Sequence, residues 1–198
     1  LKQYPEIPGS SKAPLGKPCI AFVKYDGNNL RWEWSAKRGW YKSGTRTQLF
    51  DATHPAYGEA VALFSSGLGG EIARRSKDVK RGIQRIVVFT EFFGPGTFAG
   101  IHKEGDPKEL RLFDVDLGDG LLRPRDFVRW YGDLPFAAQV VYEGNLNRQF
   151  IDSVRKGAYP VQEGVVAKGD GFMVKVKTDA YMARLVEVYG ATWRNYWE

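Results

Sequence analysis

Apolar and polar positions along the 198-residue chain switch repeatedly between a period of two and a period near 3.6, and the two-residue period predominates. Residues 19–24 form an apolar run that ends on Lys24, and residues 30–34 alternate. The pattern predicts two strands joined as a hairpin through Asp26-Gly27. A third strand starts at residues 40–42, and Ser43-Gly44-Thr45-Arg46 makes a small basic turn after it. Beyond the break at His54-Pro55, Tyr57, Ala60, Val61 and Phe64 recur at helical spacing. The glycines at 67–70 are expected to end that helix, with a short further turn of helix over 71–78. Residues 85–93 are the most strand-like run, stopped by Gly94-Pro95-Gly96, and residues 110–116 form another strand. Pro124 suits a first helical position, which predicts a helix over 125–131. A short strand at 138–142 is followed by a helix over 147–156, with Phe150, Ile151 and Val154 on one side. Strands at 164–168 and 172–177 pair through Gly169-Asp170-Gly171. Asp179 is placed to cap a closing helix that runs to Tyr189. Residues 1–18, with Pro5, Pro8, Pro14 and Pro18, read as an irregular arm. Several strands follow one another directly, which favours an α+β fold of antiparallel sheets flanked by helices, as one domain over 1–198.

Composition adds bounds. Hydrophobic content of 43% and charged content of 26% are ordinary for a globular chain. A net charge of +6 permits a polyanionic partner without proving one. The single cysteine, Cys19, opens an apolar strand and reads as a small core residue. It has no zinc-binding spacing with His54 or His102. No apolar run approaches the roughly 20 residues of a membrane span. The start of the chain lacks the charged-then-apolar pattern of a signal peptide. A cytoplasmic setting with no membrane partner is the expectation.

The informative residues are charges set in apolar, strand-like surroundings: Lys24 with Asp26, Glu91, Glu163 with Lys168, and Lys175 with Lys177. Charges buried in a sheet are costly unless they are paired or functional. One alone reads as a structural ion pair, but several in one small domain point to a site. A lysine at the end of a buried strand is pushed toward its neutral amine, which is a nucleophile.

The wording and order of these segments resemble the covalent nucleotidyltransferases, the superfamily of polynucleotide ligases and mRNA capping enzymes. Lys24-Tyr25-Asp26-Gly27 resembles their nucleophile motif, and Glu91-Phe92-Phe93-Gly94 is similar to their third motif. Leu112-Phe113-Asp114-Val115 resembles the strand after it. Glu163-Gly164-Val165-Val166-Ala167-Lys168 and Val174-Lys175-Val176-Lys177 are similar to the fourth and fifth motifs. The lysine motif alone is weak, and the ordered set, spanning most of the chain, is specific. Asn29 stands where DNA ligases and capping enzymes usually carry arginine, and asparagine there resembles the nick-sealing RNA ligase branch. Arg31, two residues on, does not fill that slot. The chain ends soon after Lys177, so the expectation is a catalytic domain without the C-terminal oligonucleotide-binding barrel, either a minimal ligase, a fragment, or a protein whose substrate is held by a partner.

The resemblance implies a ligase adenylyltransferase domain, comparable in style to ATP-grasp folds, with a nucleotide-binding groove. It implies an ATP-dependent RNA ligase acting through lysyl-AMP on RNA or a nicked duplex with 5′-phosphate and 3′-hydroxyl ends. Lys24 is then the nucleophile, with Glu163, Lys175 and Lys177 completing the catalytic set. Glu163, and after it Asp26, would hold Mg²⁺ or Mn²⁺; Asp26 could instead simply shape its turn. Glu91 would accept a hydrogen bond from the ribose and Phe113 would stack on adenine, or Phe113 is plain core. Asn29 belongs to the nucleotide site as well. Arg46 fits a phosphate or nucleic-acid contact, or is a solvated loop residue. The aromatic-basic tail Trp193-Arg194-Asn195-Tyr196-Trp197 reads first as a helix end packed on the body, and otherwise as a grip on nucleic acid. Competing functions are a GTP-dependent capping-type guanylyltransferase and a non-catalytic nucleic-acid-binding module on the same fold.

Overall fold

The computed structural model of the chain describes residues 3–96 and 102–196. Leu1 and Lys2 of the arm and Trp197 of the tail lie outside those residues. The strands are β1 (Pro18–Lys24), β2 (Asn28–Ser35), β3 (Gly39–Gly44), β4 (Leu49–Phe50), β5 (Arg85–Phe93), β6 (Glu109–Asp116), β7 (Val140–Asn145), β8 (Gly164–Gly169) and β9 (Phe172–Lys177). The helices are α1 (Gly58–Leu63), α2 (Gly69–Val79), α3 (Pro124–Tyr131), α4 (Arg148–Arg155) and α5 (Asp179–Tyr189). The strands form two antiparallel sheets, a four-stranded one ordered β7-β1-β8-β9 and a five-stranded one ordered β4-β3-β2-β5-β6. The α+β expectation of antiparallel sheets with flanking helices is therefore the fold observed. Among the described residues, chain contacts give two compact units: 3–4, 27–96 and 102–138 make one, and 5–26 and 139–196 make the other. Among the described residues no helix is long and apolar enough to cross a membrane.

The expected hairpin of β1 with β2 is not formed. Both edges of β1 are taken, by β7 on one side and β8 on the other, while β2 pairs with β3 and β5. Asp26-Gly27 is thus a crossing from one sheet to the next rather than a tight turn. Gly27 is needed for close approach: a Cβ there would lie 2.4 Å from the Phe92 carbonyl oxygen.

In the four-stranded sheet, side chains alternate between faces. Cys19 and Ala21 of β1, Val165 and Ala167 of β8, and Val174 and Val176 of β9 share one buried cluster with Phe150, Ile151 and Val154 of α4. Asn147 caps α4 by accepting from the Phe150 N–H at 2.8 Å. In the five-stranded sheet, Trp32 stacks on Phe64 at 4.0 Å and its indole donates to Thr90 Oγ1 at 2.9 Å. That contact sets the helical segment on the Leu30/Trp32/Trp34 face of the sheet.

The glycine run at 67–70 makes a kink, not an end. Phe64–Leu68 is a π-helical stretch, non-helical at Gly67 (φ 173°, ψ −43°), and α2 begins directly at Gly69. Ile72 and Ala73 of α2 are buried, and that burial carries the helix past the weak point. At α5 the cap is Thr178, not Asp179: the Thr178 hydroxyl accepts from the Tyr181 N–H at 3.1 Å. Both residue types cap well, but only Thr178 has the extended backbone of a cap (ψ 150°). In the tail, Trp193 packs on Tyr181 and Leu185, which is the helix-end reading.

Candidate active site

The residues singled out by sequence fall into two groups, one on each sheet. On the four-stranded sheet the core-facing residues leave Phe22, Lys24, Val166, Lys168, Lys175 and Lys177 on the opposite face, by simple parity. Register places them in rows. Lys24 pairs across to Gly164, and Gly164 pairs across to Lys177. The next row is Phe22, Val166, Lys175. Two lysines thus flank a residue with no side chain on the central strand, and the preceding carboxylate fills the gap. Glu163 Oε1 lies 2.8 Å from Lys24 Nζ and 3.4 Å from Lys177 Nζ. Glu163 and Lys177 side chains are only 3% and 6% exposed, whereas Lys24 is 23% exposed.

Gly164 cannot readily be another residue. Its φ is +153°, and an added Cβ would sit 2.0 Å from the Val176 carbonyl oxygen. The Glu163 backbone is anchored as well, its carbonyl accepting from Thr178 N at 2.9 Å. Burial pulls the Lys177 ammonium below its ordinary range; Lys24 and Lys175 add to the pull, while Glu163 opposes it. Lys175 is half-buried, and its N–H donates to the Pro8 carbonyl at 2.9 Å, which holds the arm along the β9 edge. Lys168 is buried with its Nζ 5.1 Å from the centre of the Phe22 ring. Lys24 and Lys177 flank one carboxylate, and Lys168 and Lys175 share the face, an environment suited to a phosphate-bearing ligand.

Asp26 is buried and accepts from the Tyr181 hydroxyl at 2.8 Å. Among the described residues no three His, Cys, Asp or Glu are gathered to hold a metal. A hard divalent ion that completes its shell with water and phosphate oxygens needs only one or two carboxylates. Glu163 Oε1 is held by Lys24 and Lys177 and Asp26 Oδ1 by Tyr181; Glu163 fits that donor set because it sits among the lysines, where phosphate oxygens would complete the shell.

On the five-stranded sheet Asn29 of β2 stands directly opposite Glu91 of β5. Side chains of such pairs are neighbours. Arg31 follows on the same face, almost wholly buried, with Nε 3.3 Å from Glu33 Oε1. Phe113 is not part of a simple alternation. Thr90 pairs with Leu112 and Phe89 with Asp114, so Phe113 is the extra residue of a β-bulge. Tyr4 meets the result: its ring lies edge-on to Phe113 at 5.0 Å and to Phe89 at 4.9 Å, and its hydroxyl donates to Asp114. Arg46 lies in the turn after β3 with an exposed side chain, and its carbonyl accepts from Gln3 Nε2 at 3.1 Å.

Sequence reasoning missed Tyr4 and Tyr181. Neither belongs to a matched motif, and a hydroxyl's buried partner leaves no local pattern. Asp114, quoted in a motif without a role, carried the one available signal, a charge between Leu112 and Val115, both of which become buried. Burial and the neighbouring carboxylates Asp114 and Glu91 raise the Tyr4 phenol far above its ordinary value. Burial, Glu163 and Asp26 do the same at Tyr181. These phenols stay protonated in the folded chain but ionise on unfolding near pH 10. The unfolded state then binds fewer protons than the folded one, so stability falls as pH rises above about 10. Absorbance titration should show Tyr4 and Tyr181 ionising only as the fold is lost. Tyr4→Phe should flatten the alkaline decline in Tm.

No protein-family model and no curated protein sequence matches the chain. Solved structures do match. An archaeal ATP-dependent RNA ligase superposes with a TM-score of 0.66 at 18% identity, over 99% of this chain and 55% of that one. Naegleria gruberi RNA ligase, as a mutant with ATP and Mn, gives a TM-score of 0.65 at 16% identity, over 93% of this chain and 58% of that one. The same ligase, as another mutant with AMP and Mn, gives 0.63 at 15% identity, over 91% and 57%. The chain has the fold of these ligases over little more than half of their length.

Proposed function

We propose that the chain is an adenylyltransferase of the ATP-dependent RNA ligase kind, with Lys24 as its nucleophile. The observation that supports this best is the Lys24–Glu163–Lys177 cluster built across Gly164. Lys24, the most exposed of the three, gives up a proton to solvent, and its nitrogen attacks the α-phosphorus of ATP. A nitrogen–phosphorus bond forms, the bond to the pyrophosphate oxygen breaks, and pyrophosphate leaves. AMP then passes to a 5′-phosphate end of RNA, and a 3′-hydroxyl displaces it. Such transfers are driven by placement and charge neutralisation more than by acid–base work. Lys177 and Lys175 supply positive charge to the phosphates from the same sheet face. Glu163 holds Lys24 and Lys177 in place and would hold Mg²⁺ or Mn²⁺, which when bound neutralises phosphate charge. Glu91, with Asn29 beside it, takes the ribose, and Phe113 takes the adenine face. Asp26 acts through its fixed position next to the nucleophile. Arg46, exposed in its turn, serves the nucleic-acid end.

The test is incubation with a divalent ion and either ATP or GTP labelled at the α-phosphate. Acid-labile label on the protein from ATP supports the reading; label from GTP alone overturns the adenylyl assignment in favour of a guanylyltransferase. No label from either, with RNA bound, points to a non-catalytic module. Phe113→Ala should raise the ATP concentration for half-maximal labelling by about tenfold, given about 1–3 kcal/mol for one base stacked on an aromatic ring. Phe113→Tyr should leave it near wild type.

A further inference from the structure

The start of α5 contacts Glu163, Lys177 and the segment just after Lys24, and nothing in the matched motifs accounts for it. The Thr178 hydroxyl donates to the Gln162 carbonyl at 2.9 Å, and the Thr178 N–H donates to the Glu163 carbonyl at 2.9 Å. The same hydroxyl accepts from Tyr181 N–H, which locks the Tyr181 backbone. From there the Tyr181 side chain reaches two targets. Its hydroxyl donates to Asp26 Oδ1 at 2.8 Å, two residues after the nucleophile. Its ring face lies 5.0 Å from Lys177 Nζ. Tyr181 is buried at 3% exposure, so neither contact is diluted by water.

We propose that Tyr181 is a positioning residue for nucleotidyl transfer, with its two ends doing separate jobs. The hydroxyl holds the Asp26 carboxylate, and with it the end of β1 from which Lys24 projects. The ring holds the Lys177 ammonium by a cation–π contact and keeps it aimed along the sheet face beside Glu163. The hydroxyl end governs how fast Lys24 attacks; the ring end governs how well the triphosphate is held. The proposal rests on the adenylyltransferase reading given above.

Two variants separate the jobs. Tyr181→Phe keeps the ring and removes the hydroxyl, and Tyr181→Leu removes both. Single-turnover labelling from ATP is measured against ATP concentration, with thermal unfolding in parallel. Tyr181→Phe should lower the maximal rate at least fivefold with the half-saturating ATP concentration within twofold of wild type. Tyr181→Leu should lower the rate similarly and raise that concentration at least fivefold. A wild-type rate in Tyr181→Phe overturns the hydroxyl's role. Equal half-saturation in Tyr181→Leu and Tyr181→Phe overturns the ring's role. Losses in both variants that follow the loss of folded protein, with no split between rate and half-saturation, reduce Tyr181 to a core residue. A wild-type chain that takes no label sinks the adenylyltransferase reading instead. In that case reductive trapping of Lys24 with pyridoxal phosphate, read by peptide mass, still tests the hydroxyl: Tyr181→Phe must change the yield at least twofold, and an unchanged yield overturns it.

Discussion

Replacing Lys24 with alanine should abolish covalent labelling from ATP, a loss on the order of 10⁴-fold or more, as expected when a nucleophile is removed. The fold should survive. Glu163 keeps Lys177 as an ion-pair partner at 3.4 Å, so no carboxylate is stranded. The lost pair joins a partly exposed lysine to a buried carboxylate, so Tm should fall while the chain stays folded. Lys24→Arg should be equally inactive, because a guanidinium keeps its proton. Glu163→Ala is the instructive contrast. It leaves Lys24 and Lys177 facing each other without the carboxylate between them, so stability should fall along with activity. Thermal unfolding beside the labelling assay checks both statements.

Gly164→Ala should be severely damaging for so small a change. The backbone there lies at φ +153°, and the new methyl would start 2.0 Å from the Val176 carbonyl oxygen. Backbone strain and overpacking each cost roughly 1–3 kcal/mol. A combined loss of a few kcal/mol lowers Tm by on the order of 10 °C. Relief requires β8 to move away from β9, which opens the row that sets Lys24, Glu163 and Lys177 together. Labelling should therefore drop by about 100-fold even at temperatures where the variant stays folded. Gly171→Ala, in the β8–β9 turn with φ +79° but nothing within 4 Å of an added Cβ, should cost only about 1 kcal/mol and leave labelling intact. Comparing the two separates a strained turn from a deformed site.

Local features were legible in the sequence because local physics determines them. The β5 strand matches its apolar run, Arg85–Phe93, residue for residue. The β8–β9 hairpin follows from a Gly-Asp-Gly turn between alternating strands, and α3 begins at its proline. Pairings between distant segments were not legible. β1 lies between β7 and β8, both more than a hundred residues away in sequence, so the nearby Asp26-Gly27 suggested the wrong neighbour. Parity puts Lys175 and Lys177 on one side of their strand, but their common face with Lys24 needed the register of β1, β8 and β9. The Glu163 carboxylate's place between two of them depended on three-strand register, which no single segment encodes. Phe113 shows the same limit: the sequence left it between adenine stacking and plain core, and the one-residue bulge that sets its surroundings has no local signature. Tyr4 and Tyr181 act through hydroxyls whose partners lie 110 and 155 residues away.

The central claim is that Lys24 carries the nucleotide. The direct measurement is peptide mapping by mass spectrometry after incubation with ATP and a divalent ion, followed by added pyrophosphate. The account predicts one AMP on the peptide containing Lys24, linked through its side-chain nitrogen and removed by pyrophosphate with return of ATP. AMP on Lys175, Lys177 or any other residue, or no adduct on a chain that demonstrably binds ATP and the ion, would contradict it.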